Sequence, residues 1–272
     1  MNARRAQAIV AAALARPELL SSWQQEPELL RDYGVDPRIF DLETMWKFVG
    51  LMVKVRHNKL RVQLPMTFRL MTIGELEIEV FASYATHQAI AGRSLSDTSE
   101  ARLTDLLSFL EHWLNFERHE HTLLWDLIRH EEALTRLSAA ARLAPKRMAA
   151  KSLQQVILNP NHIPRICGDV VLLTMRSDPR IACATLRDTS PQLSEVPLGT
   201  FHFCYWRPDD ADEINIVELD EVGFYTLSLS SGKRSIGDLS KMFGGGRRPA
   251  KQFLDVLREL AAVGVLMFDT KP

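Results

Sequence analysis

The densest group of potential metal ligands in this chain is Phe116-Glu117-Arg118-His119-Glu120-His121, with His112 and His130 nearby. A carboxylate-bridged di-iron centre in a helical bundle uses such side chains. It needs Glu three places before His, so that both face inward one turn apart. The residues three before the eight histidines are Lys54, Tyr84, Phe109, Phe116, Arg118, Leu127, Asn159 and Gly199. None is acidic. The apolar seam of this stretch runs Leu103, Leu107, Leu110, Leu114, then Leu124 and Ile128, and continuing it places Glu117 and His121 in the seam. Either an ion pair at a packed position or a helix break accounts for them, and no metal site is expected. The chain has no G-x-S-x-G, no G-x-x-x-x-G-K-[ST] and no H-E-x-x-H, each of which would carry its own mechanism. Gly244–Gly246 precedes a helical pattern but follows no strand, which suits a loop between helices better than a phosphate cradle. No catalytic residue and no cofactor of this chain's own is expected.

The three cysteines, Cys167, Cys183 and Cys204, are odd in number, well separated and without a C-x-x-C pair. They read as buried free thiols in a reducing compartment rather than as a disulfide framework. The 272 residues suffice for two domains, and the net charge of −1 argues against a surface built throughout for nucleic acid. Arg4-Arg5 followed by Ile9–Ala15 resembles a short signal sequence, but its apolar run is brief and Ala-rich and leads into a charged helical pattern. We read it as a first helix. No apolar run approaches the roughly 20 residues of a membrane span, so a soluble cytoplasmic protein is expected.

Two positive stretches are the candidates for binding. The first is Lys54, Arg56, His57, Asn58, Lys59, Arg61 and Arg69, beside Trp46, Phe48 and Phe68. Arg beside aromatics favours an interface centre, whereas bases at a helix C-terminus also simply suit its dipole. The second lies between Gly232 and Lys251, where Lys233, Arg234, Lys241, Arg247, Arg248 and Lys251 face one acid, Asp238. DNA phosphate, an acidic peptide laid along a sheet edge, and a solvated basic turn all fit it.

The elements that must position these groups fall into two parts. Residues 1–155 read as an all-helical domain, with one long helical stretch from about Glu100 to Leu137. Residues 156–272 read as a second domain after the turn-rich Asn159–Pro164 boundary. Its expected strands are Val170–Met175, Ile181–Leu186, Phe201–Trp206 and Ile214–Leu219. Three short helices follow. The first starts at Asp220. The second is capped by Ser235, with Asp238 three places on. The third opens at Pro249, with Ala250, Phe253, Leu254, Leu257 and Leu260 on one stripe. Gly264 ends it before a last strand, Val265–Phe268. The fold class is α+β, with a winged-helix-like unit carrying a small antiparallel sheet.

The stretches Asp41-Leu-Glu-x-x-Trp46-Lys-Phe-x-Gly50-Leu, Lys54-Val-Arg-His-Asn58-x-Leu-Arg61 and Leu64-Pro-x-Thr-Phe-Arg69-Leu resemble the helical domain of a family of partner subunits. These act with multinuclear non-haem iron oxidative enzymes in ribosomal peptide natural product maturation, as in the 3-thiaglutamate and methanobactin systems. The C-terminal module is similar to the precursor-recognition element of the same family. The resemblance implies a non-catalytic accessory subunit that binds the leader of a Cys-containing precursor peptide and presents its cysteine to a separate enzyme, which holds the iron. It implies partner docking at Trp46, Arg56, His57, Asn58, Arg61 and Arg69. It implies peptide binding at Arg247, Arg248, Lys251, Asp255, Arg258, Phe203 and Tyr205. The alternative is a winged-helix transcription regulator with a helical dimerisation domain, although nucleic acid is the less expected partner.

Overall fold

The computed structural model describes residues 3–15, 17–91, 98–143, 158–208, 213–243 and 251–270. The chain is α+β and divides into two compact units, Met1–Ile128 with Leu186–Pro191, and Arg129–Thr185 with Gln192–Pro272. The division falls inside a helix, earlier than the boundary expected near residue 155. Among the described residues no helix is long and apolar enough to cross a membrane.

The first unit holds α1 (Ala3–Ala15), α2 (Pro17–Gln25), α3 (Leu42–Arg56), α4 (Asn58–Gln63), α5 (Pro65–Ile73), α6 (Glu77–Ile90), α7 (Ser99–Trp113) and the start of α8 (His119–Leu143). Local signals set the ends of these helices. Asp41 accepts from the Thr44 amide at 2.9 Å and the Thr44 hydroxyl at 2.6 Å, covering otherwise unpaired donors at the start of α3. Pro65 opens α5, where its missing N–H costs nothing. Thr98 caps α7 through the Ala101 amide. Trp23, Leu60, Leu64, Phe68, Val80, Phe81, Tyr84 and Leu124 are among its fully buried side chains. Helices α3 and α6 pack unusually close at Gly50, where a Cβ would lie 2.7 Å from the Ile78 carbonyl oxygen.

The second unit is built on an antiparallel sheet in the order β2-β3-β4: β2 (Asp169–Ser177), β3 (Leu198–Arg207) and β4 (Asn215–Leu219). A separate pair joins β1 (His162–Ile166) to β5 (Leu266–Thr270), with Ile166 opposite Leu266. The inserted helix α9 (Pro179–Arg187) lies in the chain between β2 and β3. Helices α10 (Glu221–Leu229), α11 (Ile236–Met242) and α12 (Lys251–Val263) follow β4. Both faces of the sheet are covered. Cys204 and Trp206 of β3 pack with Leu227, Ile236, Leu239, Phe253, Leu257 and Leu260. Phe203 and Tyr205 pack on the other face with Ala133 and Leu137 of α8. Two-sided burial explains why Phe201–Trp206 is almost continuously apolar instead of alternating.

Two expectations for this unit are corrected. Ile181–Leu186 is helix, not strand. Asp178 accepts from the Arg180 amide at 2.8 Å, Pro179 suits the first turn, and the buried residues Ala182, Cys183 and Leu186 recur at helical spacing. Asn159–Asn161 is a turn as expected, closed by the His162 amide on the Asn159 carbonyl at 2.9 Å, but His162–Pro164 belongs to β1. Pro164 pairs opposite Phe268 and offers its carbonyl to the Gly232 amide at 3.1 Å. The three-helix pattern is present as expected. Asp220 caps α10 and Ser235 caps α11. Gly264 turns the chain into β5 at φ 92°, a left-handed value that suits glycine. The start of the third helix at Pro249 and Ala250, and the Gly244–Gly246 loop, lie outside the described residues.

Candidate functional site

The histidine-rich stretch is a helix break. α7 ends at Trp113, Leu114 turns out to an extended conformation, and α8 begins at His119. The amide of Asn115 donates to His121 Nδ1 at 3.0 Å, and the ring of His121 stacks on Trp113 at 5.0 Å and 21°. An accepting Nδ1 places the ring proton on Nε2, so His121 sits there as a neutral staple across the break. Burial, and then the Arg118 charge, push its pKa down. Glu117 points to solvent, its amide bonded to Asn115 Oδ1. His112 is exposed and bonds the Ser108 carbonyl. Among the described residues no group of three or more His, Cys, Asp or Glu side chains is arranged to hold a metal.

The basic stretch near α3 is largely used internally. Glu77, buried in the first turn of α6, receives Lys54 Nζ at 2.6 Å and Arg61 Nη2 at 2.6 Å, with the Thr72 hydroxyl at 3.3 Å. Arg61 also lies over the Phe68 ring at 5.3 Å. Arg69 donates to the carbonyls of Leu186 and Asp188. His57 was expected at a partner interface. It is instead fully buried between Phe81 and Tyr84, with ring centroids 5.2 Å away in each case. Trp46 is half-buried and Asn58 exposed, and the side chain of Arg56 lies outside the described residues. Glu77 was the residue missed. Its signal was the second stripe Glu77, Phe81, Tyr84, Gln88 on α6, all of it buried.

An acid that neutralises two bases from α3 and α4 ties three helices together. Removing it leaves both cations without their counter-charge, although Lys54 and Arg61 keep some access to water. Glu77→Ala is expected to lower stability by about 2 kcal/mol. Lys54→Ala should cost less, because Arg61 still neutralises the carboxylate. Urea unfolding of the three proteins checks this, and equal costs would contradict it.

The second basic stretch is partly described. Arg247 and Arg248 lie outside the described residues. Lys233, Arg234, Lys241 and Lys251 are exposed. Lys241 pairs with Asp238 at 3.3 Å, and Arg258 pairs with Asp255 at 2.6 Å. The Ser235 hydroxyl donates to Asp238 and holds its carboxyl below the usual range. Phe203 and Tyr205 require a correction, since both are fully buried on the α8 face of the sheet. The Tyr205 hydroxyl is 2.7 Å from His130 Nδ1. Neither ring is open to a peptide, because strand alternation puts these two residues on a face that α8 covers.

The Cys204 thiol is a poor nucleophile as placed. Cys183 and Cys204 are buried, and burial pushes the Cys204 thiol up to about 12. β4 bonds to β3 along one edge only, so among the described residues its outer edge has no strand partner. α12 contributes Phe253, Leu257 and Leu260 to the cluster that covers one face of this sheet, where Leu219 of β4 also packs. Comparison with protein-family models finds none that matches the chain, and comparison with curated proteins finds no match.

Proposed function

We propose that this chain is a non-catalytic, cytoplasmic partner subunit. It binds the leader of a ribosomally made precursor peptide through a winged-helix-like recognition unit. It presents the peptide's cysteine to a separate multinuclear non-haem iron oxidative enzyme. The supporting observation is the outer edge of β4, which has no strand partner among the described residues, in the sheet that α12 packs against. An extended leader adds there as a further strand through backbone hydrogen bonds, and its side chains set specificity. The exposed bases Lys233, Arg234, Lys241 and Lys251 favour an acidic leader. Holding the substrate raises its concentration near the irons without new chemistry in this chain.

Within the proposed peptide-binding set, Lys251 and Arg258 offer exposed charge, and Asp255 is occupied by Arg258. Lys251→Glu is expected to weaken capture of the short Cys-containing precursor peptide about three- to tenfold, the size of one exposed charge contact. Fluorescence anisotropy with labelled peptide reads the change, with labelled duplex DNA as the second probe. Equal peptide affinity in the variant removes the role of Lys251. Tight, salt-sensitive binding of the duplex, with none of the peptide, makes the chain a DNA-binding regulator instead.

A further inference from the structure

Two backbone contacts fix which groups the outer edge of β4 presents. Arg129 of α8 donates to the Thr174 carbonyl of β2 at 3.0 Å, so this carbonyl turns away from β3. At the start of β2 the Arg207 carbonyl oxygen lies against Gly168, so that carbonyl turns toward β2. Along an antiparallel ladder, residues alternate between pairs that bond across it and pairs whose backbone groups point away. Thr174 stands opposite His202, and Asp169 opposite Arg207. Both contacts therefore set the same phase. The backbones of Phe203, Tyr205 and Arg207 face β2, and those of His202, Cys204 and Trp206 face Leu219, Val217 and Asn215 of β4. Ile216 and Glu218 are left with N–H and C=O groups turned outward. Neither makes a turn or loop backbone bond among the described residues.

Building on the peptide-holding reading, we propose that Glu218 selects a lysine or arginine in the leader strand added at this edge, with an apolar residue two places away beside Ile216. Ile216 and Glu218 stand opposite Tyr205 and Phe203, so the four side chains share one face of the sheet. A strand added in either direction puts every second side chain on that face. One stands beside Glu218 and the next beside Ile216. Three groups set the charge there. Asp178, buried, takes Arg180 through Nε at 3.0 Å and Nη2 at 2.6 Å. The same Nη2 reaches Glu218 at 2.5 Å, and the guanidinium lies over the Phe203 ring at 5.0 Å. Two carboxylates thus share one cation, and the excess negative charge falls at the edge, where Glu218 is half-exposed and Asp178 is enclosed. A peptide acid here would set a third carboxylate against one guanidinium, whereas a peptide base balances the charge as a cross-strand pair. The acids favoured by Lys233, Arg234, Lys241 and Lys251 lie elsewhere along the leader.

A phage library of random peptides of about 10 residues, enough for one strand, panned against the full chain and against Glu218→Lys, tests this. Wild type should enrich peptides with Lys or Arg two places from an apolar residue. Glu218→Lys should enrich Asp or Glu in place of that base. For one enriched peptide read by fluorescence anisotropy, exchanging its base for Glu should weaken binding to wild type about three- to tenfold and strengthen binding to Glu218→Lys. Glu218→Gln should lose the preference for a base without gaining one for an acid, and it replaces Glu218→Lys if the latter unfolds by circular dichroism. Ile216→Pro removes an outward N–H while the bonds of Asn215 and Val217 to β3 remain, and in a folded protein it should abolish capture. Peptides that bind wild type and the folded Glu218 variants alike, or that carry an acid at this position for wild type, overturn the proposal and leave the peptide-holding reading standing. No enrichment by wild type overturns both.

Discussion

Leu257→Ala is expected to lower the stability of the second unit by about 2–5 kcal/mol. Leu257 is fully buried in the middle of α12, in one cluster with Trp206, Leu227, Ile236, Leu239, Phe253 and Leu260. That cluster joins α10, α11 and α12 to one face of the β2-β3-β4 sheet. Truncation removes transfer energy and leaves a cavity that rigid neighbours on several elements cannot close. Leu257→Met nearly keeps the volume and should cost less than about 1.5 kcal/mol. Val263→Ala in the same helix should change little, because Val263 is 48 % exposed. Hydrogen exchange of the α12 amides under increasing urea reads this unit specifically, which matters in a chain with two compact units. A Leu257→Ala loss no larger than that of Val263→Ala contradicts the packing described above.

The second large effect is on pH dependence. His130 is buried against the Tyr205 hydroxyl, and burial pushes its pKa from 6.5 to about 4, against a smaller opposing pull from Asp178. In the unfolded chain the ring takes its proton near pH 6.5; in the folded chain it does so only near pH 4. Between these values acid protonates the unfolded state preferentially. The stabilisation is therefore complete above about pH 6.5, is lost as pH falls, and changes no further below about pH 4. The total is about 3 kcal/mol. His121, whose pKa is also lowered, acts in the same direction in the first unit. Urea midpoints of wild type and His130→Gln between pH 7.5 and pH 4, a range set by the histidine's unfolded pKa of roughly 6.5, isolate the effect. The variant should show a flatter slope by about one proton over this range. Identical slopes would show that His130 does not titrate between the two states as described.

The three-helix end of the chain was legible because its signals are local. Asp220, Ser235 and Gly264 each act within one turn of their own position, and the stripe Phe253, Leu257, Leu260 needs only helical spacing. The failures share one cause, which is tertiary context. Ile181–Leu186 has strand-like composition, yet the Asp178 cap and Pro179 start a helix that buries Ala182, Cys183 and Leu186. β1 was hidden by Pro164, which normally argues against a strand. Its pairing is with β5, some hundred residues away in sequence. The expected peptide-binding role of Phe203 and Tyr205 fails because nothing local reveals that α8 covers their face. The same limit affected the basic stretch near α3. Arg61 and Arg69 looked available because Glu77 and the Leu186 and Asp188 carbonyls are remote in sequence. His121 was the exception, since the break at Leu114–Arg118 was one of two readings that its position in the seam allowed.

The partner-subunit account places the reaction in another protein and the grip in this one. Co-expression with a multinuclear non-haem iron enzyme and its precursor peptide, followed by affinity purification through this chain at low salt, tests that division most directly. The account predicts that enzyme and peptide co-purify with the chain, with the iron in the enzyme and no turnover by the chain alone. Recovery of the chain without the enzyme, or turnover by the isolated chain, contradicts it.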